Sequence, residues 1–343
     1  MTKSKKITIY DVARSAGVSR QTVSRVINNR PDVAHETRTR VQDVIRDLNY
    51  RPNAVAQSLS RQKSYLLGVV SAGLKYIGPS VTLKGIVDQA ESLGYGLLLK
   101  TVSNFDVHDV MPILQWFQSH QVDGIIWAVP EIGENRKWLD QHIPYTNLPI
   151  IFMAMARDKR VSIVCIDNIQ GGRLATRHLI ERGCKHIGHI SGPMDWLDAR
   201  QRKQGWYFTL SEGGYDMSDK MCAEGNWSSK SGKKAFLELI DKYPEMDGLF
   251  VANDQMALSV LQTIFELGIS VPNHLKVVGF DGIPESEFFS PSLTTIYQNL
   301  EDLGCTAVNE LVKLIEKRNT PNYENDPKFL KIQPELIIRQ STQ

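Results

Sequence analysis

The sequence predicts an α/β protein in which a small helical unit precedes two lobes, each a parallel sheet covered by helices. Three observations lead to this fold class. Short helical patterns fill residues 7–50, and apolar runs alternate with amphipathic helical stretches from Tyr65 onward. The 343 residues are enough for one small and one large domain, and the apolar runs are too many for one modest sheet.

Residues 7–28 predict two short helices joined by a tight turn. Thr8 and Asp11 have the spacing of a capping pair, Gly17 supplies the turn, and Ser19 can cap the second helix. The apolar side chains fall on inward faces: Val12, Ala13, Ala16, Val23, Val26 and Ile27. Polar side chains then point outward near the start of the second helix, where a recognition helix meets DNA bases: Arg20, Gln21, Ser24 and Arg25.

A third helix is predicted over residues 35–50, because four apolar residues form one stripe: Val41, Val44, Ile45 and Leu48. Pro52 should end it. The segment that follows has only Val55, Ala56 and Leu59 as apolar positions. We therefore expect it to be ordered only against a partner surface.

The charge is divided unevenly along the chain. Residues 1–63 contain 13 Lys/Arg and 5 Asp/Glu, a net charge of +8, whereas the remaining 27 Lys/Arg and 33 Asp/Glu give −6. A basic unit beside an acidic body is typical of a protein that contacts DNA phosphates with the basic part alone.

Several classes of protein are disfavoured by what the sequence lacks. The four cysteines are widely spaced, so neither a zinc site nor a disulfide framework is indicated, and no cofactor is expected. The N-terminus lacks the apolar run of a signal peptide, and no window approaches a membrane span. The sequence therefore predicts a cytoplasmic protein that does not enter a membrane.

Polar residues follow several of the apolar runs of the body. Asn253 and Asp254 end the run GLFVAND, Asp281 ends KVVGFD, and Arg202 and Trp227 lie at other strand-to-helix turns. Ligands of such sheets bind at the carboxyl ends of the strands. Carboxylate, guanidinium and amide groups can bridge neighbouring hydroxyls, while an indole packs on the apolar face of a sugar ring. Asp254 is expected only to cap a helix.

Motifs along nearly the whole chain resemble the LacI/GalR family of bacterial transcriptional repressors. They are IYDVARSAGVSRQTVSRVIN, LNYRPNAVAQSL, EGNWSSKSG, LFVANDQMAL, VVGFDG and SLTTIYQ. The resemblance implies a DNA-binding headpiece over residues 1–52, a hinge helix and linker over 53–64, and a periplasmic-binding-protein-like body over 65–343 that binds effector and forms a dimer. The first lobe would comprise residues 65–161 and 294–325, and the second 162–293 and 326–343. The chain would therefore cross between lobes near residues 162, 293 and 326.

The resemblance also implies which residues contact DNA. Arg20, Gln21 and Arg25 would contact base edges in the major groove. Other headpiece residues would position the helix on phosphates, among them Thr8, Ser19, Thr22, Ser24 and Asn28. A hinge helix containing Asn53, Ala56 and Leu59 would enter the minor groove, with Leu59 wedged into a base step.

The family's effector contacts correspond to eight positions of the body: Ala72, Tyr76, Pro79, Arg202, Trp227, Asn253, Asp281 and Gln298. Three departures from the family pattern stand out. The family's pocket carboxylate aligns with Ala154, its pocket Phe with Ile166, and a Ser that caps the third headpiece helix with Ala34. The pattern of contacted hydroxyls is therefore expected to differ, and a galactoside is the first candidate effector.

The expected function is a repressor that binds a near-palindromic operator as a homodimer and is released by a small sugar. A dimer is expected because the chain stops without a heptad repeat. Within this class, a purine-type regulator whose ligand strengthens DNA binding remains open. An enzyme with Asp254 and Asp281 as paired carboxylates leaves the headpiece unexplained. A transport-type solute-binding protein would require a signal sequence.

Overall fold

The computed structural model of the chain describes residues 7–51, 63–102, 109–142, 147–318 and 326–343. The chain divides into two compact units, residues 1–65 and residues 66–343. Nothing in the described ranges forms a helix long and apolar enough to cross a membrane. The hinge residues Asn53, Ala56 and Leu59 lie outside the described residues.

Within residues 7–51, the N-terminal unit has three helices: α1 (Ile9–Ala16), α2 (Arg20–Ile27) and α3 (His35–Asp47). The expected capping pair is present, since the Thr8 backbone N–H donates to Asp11 Oδ2 at 2.9 Å. Gly17 turns the chain with φ +66°. The core contains six of the residues predicted to be buried: Val12, Ala13, Ala16, Val23, Val26 and Val41. Four others are only partly buried against it: Ile27, Val44, Ile45 and Leu48.

The third helix begins at His35, as predicted, but ends earlier than predicted. It ends at Asp47 instead of continuing to residue 50, because Asn49 adopts a left-handed conformation with φ +44°. At its start, Ala34 occupies the N-cap position and makes no side-chain hydrogen bond to the helix. The first turn therefore lacks the hydroxyl acceptor that a serine would offer.

The first lobe is a parallel sheet in the order β11-β5-β4-β3-β1-β2. Its strands are β1 (Leu66–Ala72), β2 (Gly96–Val102), β3 (Gly124–Ala128), β4 (Ile150–Met153), β5 (Ser162–Ile166) and β11 (Phe329–Ile332). Four helices cover it: α4 (Ile77–Ser92), α5 (Met111–Ser119), α6 (Trp138–His142) and α11 (Leu300–Arg318). One buried cluster lies under α4 and α11, and another under α5 and α6. The lobe is therefore doubly wound, as predicted.

The second lobe repeats this plan with the order β12-β10-β9-β8-β6-β7. Its strands are β6 (Ile187–Ser191), β7 (Cys222–Glu224), β8 (Gly248–Val251), β9 (Lys276–Asp281), β10 (Thr294–Tyr297) and β12 (Glu335–Ile337). Its helices are α7 (Asn168–Glu181), α8 (Leu197–Glu212), α9 (Ser229–Lys242) and α10 (Asp254–Glu266). The sheet is parallel except for β12, which pairs antiparallel with β10. The two-lobed fold class is confirmed.

The chain crosses between the lobes a few residues later than predicted at each of three places. It crosses after β5, after β10 and after β11. The predicted crossings near residues 162, 293 and 326 are wrong because each precedes a strand that still belongs to the lobe being left. Strand β5 pairs with β4 and β11 in the first sheet, and β10 pairs with β9 in the second.

Glycines allow the main helix pair of the first lobe to approach closely. A Cβ atom on Gly85 of α4 would lie 2.2 Å from the carbonyl oxygen of Glu301 on α11. In return, a Cβ atom on Gly304 would lie 2.4 Å from the carbonyl oxygen of Thr82. Backbone therefore packs directly against backbone at this crossing, and neither glycine can be enlarged without moving a helix.

We predict that Gly85→Ala destabilises the body by about 1–3 kcal/mol, because overpacking must separate the two helices. The matched control is Gly78→Ala in the same helix, where an added Cβ meets nothing within 4 Å. That change should be neutral or stabilising by up to about 1 kcal/mol. The midpoints of urea unfolding measure both. Equal effects of the two substitutions would contradict the close-contact interpretation.

Candidate functional site

A cavity of about 1000 Å³, counted with its open mouth, lies between the two lobes of the body. Seven of the eight predicted effector residues line it: Tyr76, Pro79, Arg202, Trp227, Asn253, Asp281 and Gln298. Ala154 and Ile166, the two departures in the body, line it as well.

Ala72 does not line the cavity, and Ser71 lines it instead. Ala72 is 1% exposed and packs in the cluster under α5 and α6. Successive side chains of a strand point to opposite faces of the sheet, so a shift of one residue changes the face. The structure therefore places Ser71, not Ala72, at the cavity.

A buried ion pair forms the polar side of the cavity. Arg202 Nη1 lies 3.3 Å from Asp281 Oδ1, and Gln298 Nε2 donates to the same oxygen at 2.7 Å. Arg202 also donates from Nε to Asn168 Oδ1 at 2.9 Å and from Nη1 to the Ala252 carbonyl oxygen at 2.5 Å. Its guanidinium lies 3.8 Å above the centre of the Phe280 ring. These contacts fix Arg202 before any ligand arrives.

Asp281 presents its carboxylate from a strained backbone. Its φ of +115° lies in a region that L-amino acids rarely adopt. Such strain persists only where the surroundings over-determine it, and here they do. Burial raises the pKa of Asp281 to about 6, against the opposing effect of the Arg202 charge. Among the described residues, Asp281 Oδ2 has no hydrogen-bond donor, so this oxygen remains for a ligand.

Asp254 holds the turn that carries Asp281. The expectation that it only caps a helix is wrong, because Asn253 is the N-cap of α10 and its Oδ1 accepts the Met256 N–H at 3.0 Å. Asp254 Oδ2 accepts the backbone N–H groups of Gly282 and Ile283 at 2.8 and 2.9 Å. Its Oδ1 accepts the Thr295 hydroxyl at 2.7 Å. Burial, and then the charge of Asp281, raise the pKa of Asp254 to about 8.

Three aromatic rings form another side of the cavity. Trp196 packs edge-on against Tyr76 of the first lobe at 5.9 Å and against Trp227 of the second lobe at 5.8 Å between ring centres. Asn253 Nδ2 donates to the Trp227 carbonyl oxygen at 3.0 Å and holds that residue at φ +70°. The buried Trp227 Nε1 has no partner among the described residues.

Sequence reasoning missed several lining residues, of which Asn168, Trp196 and Asp198 are the most polar or aromatic. Asn168 and Asp198 lie in the first turns of α7 and α8, directly after the loops that leave β5 and β6. The rule that ligands bind at the carboxyl ends of strands could have found both. Trp196 is the N-cap residue of α8, and no periodicity indicates its direction.

The headpiece presents five predicted DNA contacts on its surface: Thr8, Ser19, Arg20, Gln21 and Arg25. Three others are half-buried, namely Thr22, Ser24 and Asn28. Ser19 caps α2, since its Oγ accepts the Thr22 N–H at 3.0 Å. Arg20 is held by Tyr10, which accepts a hydrogen bond from the guanidinium and packs beneath it at 4.3 Å.

Comparisons with known proteins agree with this architecture. The model of "Bacterial regulatory proteins, lacI family" matches residues 8–53, and that of "Periplasmic binding protein-like domain" matches residues 176–342. The Lactose operon repressor of Escherichia coli is 33% identical over 310 residues, which cover 90% of this chain and 85% of that protein. The HTH-type transcriptional repressor PurR of Mannheimia succiniciproducens is 33% identical over 335 residues, 97% and 98% of the two chains.

Solved structures of transcriptional regulators also superpose on this chain. A lac repressor dimer bound to operator and the anti-inducer ONPF superposes with a TM-score of 0.86 at 30% identity, over 98% of this chain and 99% of that one. A complex of the transcriptional regulator CelR with cellobiose gives 0.71 at 29% identity, over 98% and 99%.

A helix-turn-helix unit joined to a two-lobed body with an interlobe cavity defines a ligand-responsive DNA-binding regulator. The chain belongs to the LacI family of bacterial regulatory proteins. The similar proteins are transcriptional regulators.

The pKa of Asp254 generates a prediction about stability. A carboxyl whose pKa is raised on folding contributes stability at low pH that is lost as the pH rises toward the folded value. The free energy of unfolding should therefore fall by a few kcal/mol between about pH 4 and about pH 8, relative to Asp254→Asn. The asparagine can accept both backbone N–H groups and donate to Thr295. Urea unfolding at several pH values measures this difference, and parallel profiles for the two proteins would refute it.

Proposed function

We propose that this protein represses transcription as a homodimer on a near-palindromic operator and that a small sugar, a galactoside first of all, releases it. The observation that carries the effector part is the Arg202–Asp281–Gln298 cluster, which faces the interlobe cavity opposite aromatic rings. Fixed polar groups beside an indole are typical of a site for a ring with neighbouring hydroxyls.

The headpiece supports the DNA-binding part. Arg20, Gln21 and Arg25 are exposed on α2, and the unit that contains them has a net charge of +8 over residues 1–63. Arginine pairs well with guanine and glutamine with adenine in the major groove. Tyr10 fixes Arg20 in one position, which lowers the entropy lost when it meets a base. The hinge residues Asn53, Ala56 and Leu59 are proposed to enter the minor groove.

The surface of the second lobe supports a dimer. Leu258 and Phe265 lie seven residues apart on α10 and are 45% and 78% exposed. Phe288, on the same lobe, is 83% exposed. Large apolar side chains this exposed on one lobe are typical of an interface with another protein. A second copy is the occupant we propose, because two headpieces are needed to contact the two half-sites of a palindrome.

The release mechanism follows from the position of the cavity. A ligand between the lobes can bind the two lobe arrangements with different affinity, and it shifts their populations by that difference. Couplings of this kind are typically about 1–3 kcal/mol, or about 5- to 150-fold in affinity. We propose that the effector favours the arrangement in which the paired hinges separate, so that operator affinity falls.

A second candidate is a regulator whose ligand strengthens operator binding, as a purine-type corepressor does. It is favoured by the relatives named PurR, which are as similar to this chain as the lactose repressor is. The sign of the ligand's effect on operator affinity separates the two candidates.

Arg20→Ala should weaken binding to an operator selected from random duplexes by about 10- to 100-fold, because a bidentate arginine–guanine contact is lost. Binding to a scrambled duplex should weaken much less, so the sequence preference should fall. Arg46→Ala removes an equal charge from α3, where Arg46 pairs with Asp43, and should leave that preference unchanged. Fluorescence anisotropy on both duplexes measures these effects. An unchanged preference in Arg20→Ala would remove Arg20 from base recognition.

Asp281→Asn should leave operator affinity within about twofold while reducing the response to the effector at least about tenfold, because a charge-assisted contact is lost. Asp241→Asn, an exposed change of the same kind on α9, should behave like the parent. Operator release is titrated against each sugar of a panel. Full release of Asp281→Asn at parental sugar concentrations would exclude Asp281 from the effector site.

A further inference from the structure

The cavity contains more negative than positive charge. Among the described residues that line it, the charged ones are Asp198, Asp281 and Arg202. Arg202 is already engaged by Asn168, the Ala252 carbonyl oxygen and Asp281. An anionic ligand would therefore meet two carboxylates and one guanidinium, whose Nε and Nη1 groups are already engaged.

Asp198 lies on the cavity wall, and its carboxylate accepts few hydrogen bonds. It is in the first turn of α8, where an acidic residue is favoured by the helix dipole. A carboxylate in contact with solvent would be enough to satisfy the helix dipole. Asp198 instead lines the cavity. Within the described ranges, its one hydrogen bond comes from Asn168 Nδ2, at 2.9 Å to Oδ1. A shielded carboxylate with one donor is under-satisfied and is stabilised by any further donor.

The position of Asp198 is fixed by contacts with the opposite lobe. The residues before it pair with the first lobe as a short antiparallel bridge between Ile132 and Trp196. The Leu197 N–H donates to the Glu131 carbonyl oxygen at 3.0 Å, and the Gly133 N–H donates to the Asp195 carbonyl oxygen at 2.9 Å. The carboxylate is therefore held at the cavity by both lobes.

The first lobe offers no carboxylate of its own among the described lining residues. Ala154, directly after β4, lines the cavity with a methyl group. Asp198 supplies an acidic group from the other wall of the same cavity.

We propose that Asp198 accepts a hydrogen bond from a hydroxyl of the effector and that the effector carries no anionic group. This inference rests on the proposed sugar-responsive function. It assigns the effector to the class of neutral glycosides and excludes sugar phosphates and sugar acids. Asp198 acts as a specificity determinant in two ways: it contacts a donor on the ligand, and, as the second carboxylate beside a single guanidinium, it repels negative charge on the ligand.

The experiment compares the full-length parent chain with Asp198→Asn and with Asp195→Asn. Asp195 is an exposed carboxylate three residues away that does not line the cavity, so it is a matched control for charge. The probes are methyl galactoside, methyl glucoside and cellobiose as neutral sugars, galactose 6-phosphate and galacturonate as anions, and adenine as a purine base. Thermal shift gives stabilisation, and calorimetric titration gives the Kd.

At least one neutral sugar should raise the melting temperature of the parent, and the two anions should not. Asp198→Asn should keep the ligand-free melting temperature and weaken binding of the neutral sugar about tenfold, because a charge-assisted hydrogen bond becomes a neutral one. The difference in affinity between the neutral sugar and the two anions should become smaller in Asp198→Asn. If Asp198 had only a structural role, this difference would not change. Asp195→Asn should match the parent.

Two results would overturn the inference while leaving the proposed function intact. One is binding of an anion to the parent as tightly as the neutral sugar. The other is parental affinity for the neutral sugar in Asp198→Asn. If no sugar stabilises the parent and a purine base does, the proposed sugar response itself fails, and the inference fails with it.

Discussion

The buried pair of Arg202 and Asp281 is the constraint around which the second lobe is arranged. Removing two charges from water is costly, and the cost is recovered only when each partner is fully hydrogen-bonded. The chain supplies most of these hydrogen bonds through an amide from α7, a carbonyl oxygen after β8 and a glutamine after β10, and Asp281 Oδ2 is left for a ligand. The strained turn at Asp281 is held in turn by Asp254. The site is therefore built before ligand binding, and a ligand pays little to organise it.

The sequence predicts those parts of the fold that depend on local periodicity. The helical stripes of Val12, Ala13 and Ala16 and of Val23 and Val26 identify the headpiece core, because burial of one helix face follows directly from spacing. In the body, strands such as β8 and β9 follow equally well from the apolar runs GLFVAND and KVVGFD. The lobe crossings do not, because β5 and β10 have the same composition whichever sheet they join. Sheet membership is decided by tertiary pairing, which spacing does not encode.

The residues of the candidate site were predictable where they lie in a motif. They were not predictable where their role depends on the direction of a side chain. Arg202, Asn253, Asp281 and Gln298 lie in recognisable motifs and line the cavity. The prediction for Ala72 is wrong because a shift of one residue along a strand reverses the direction of the side chain. The aromatic trio depends on Trp196, whose ring reaches Tyr76 of the other lobe. Contacts across a cleft of this kind arise only when both lobes are folded.

The glycine crossing of α4 and α11 has a consequence for how the first lobe can respond to its cavity. The first turns of α4 contribute Ile77, Gly78, Pro79 and Thr82 to the cavity, and Leu300 and Leu303 of α11 line the same space. Backbone touches backbone at Gly85 and Gly304, so no side chain is present there to change rotamer and absorb a displacement. A displacement of either helix by a ligand is therefore transmitted directly to the other. The two helices must move as one rigid unit whose N-terminal ends lie at the ligand.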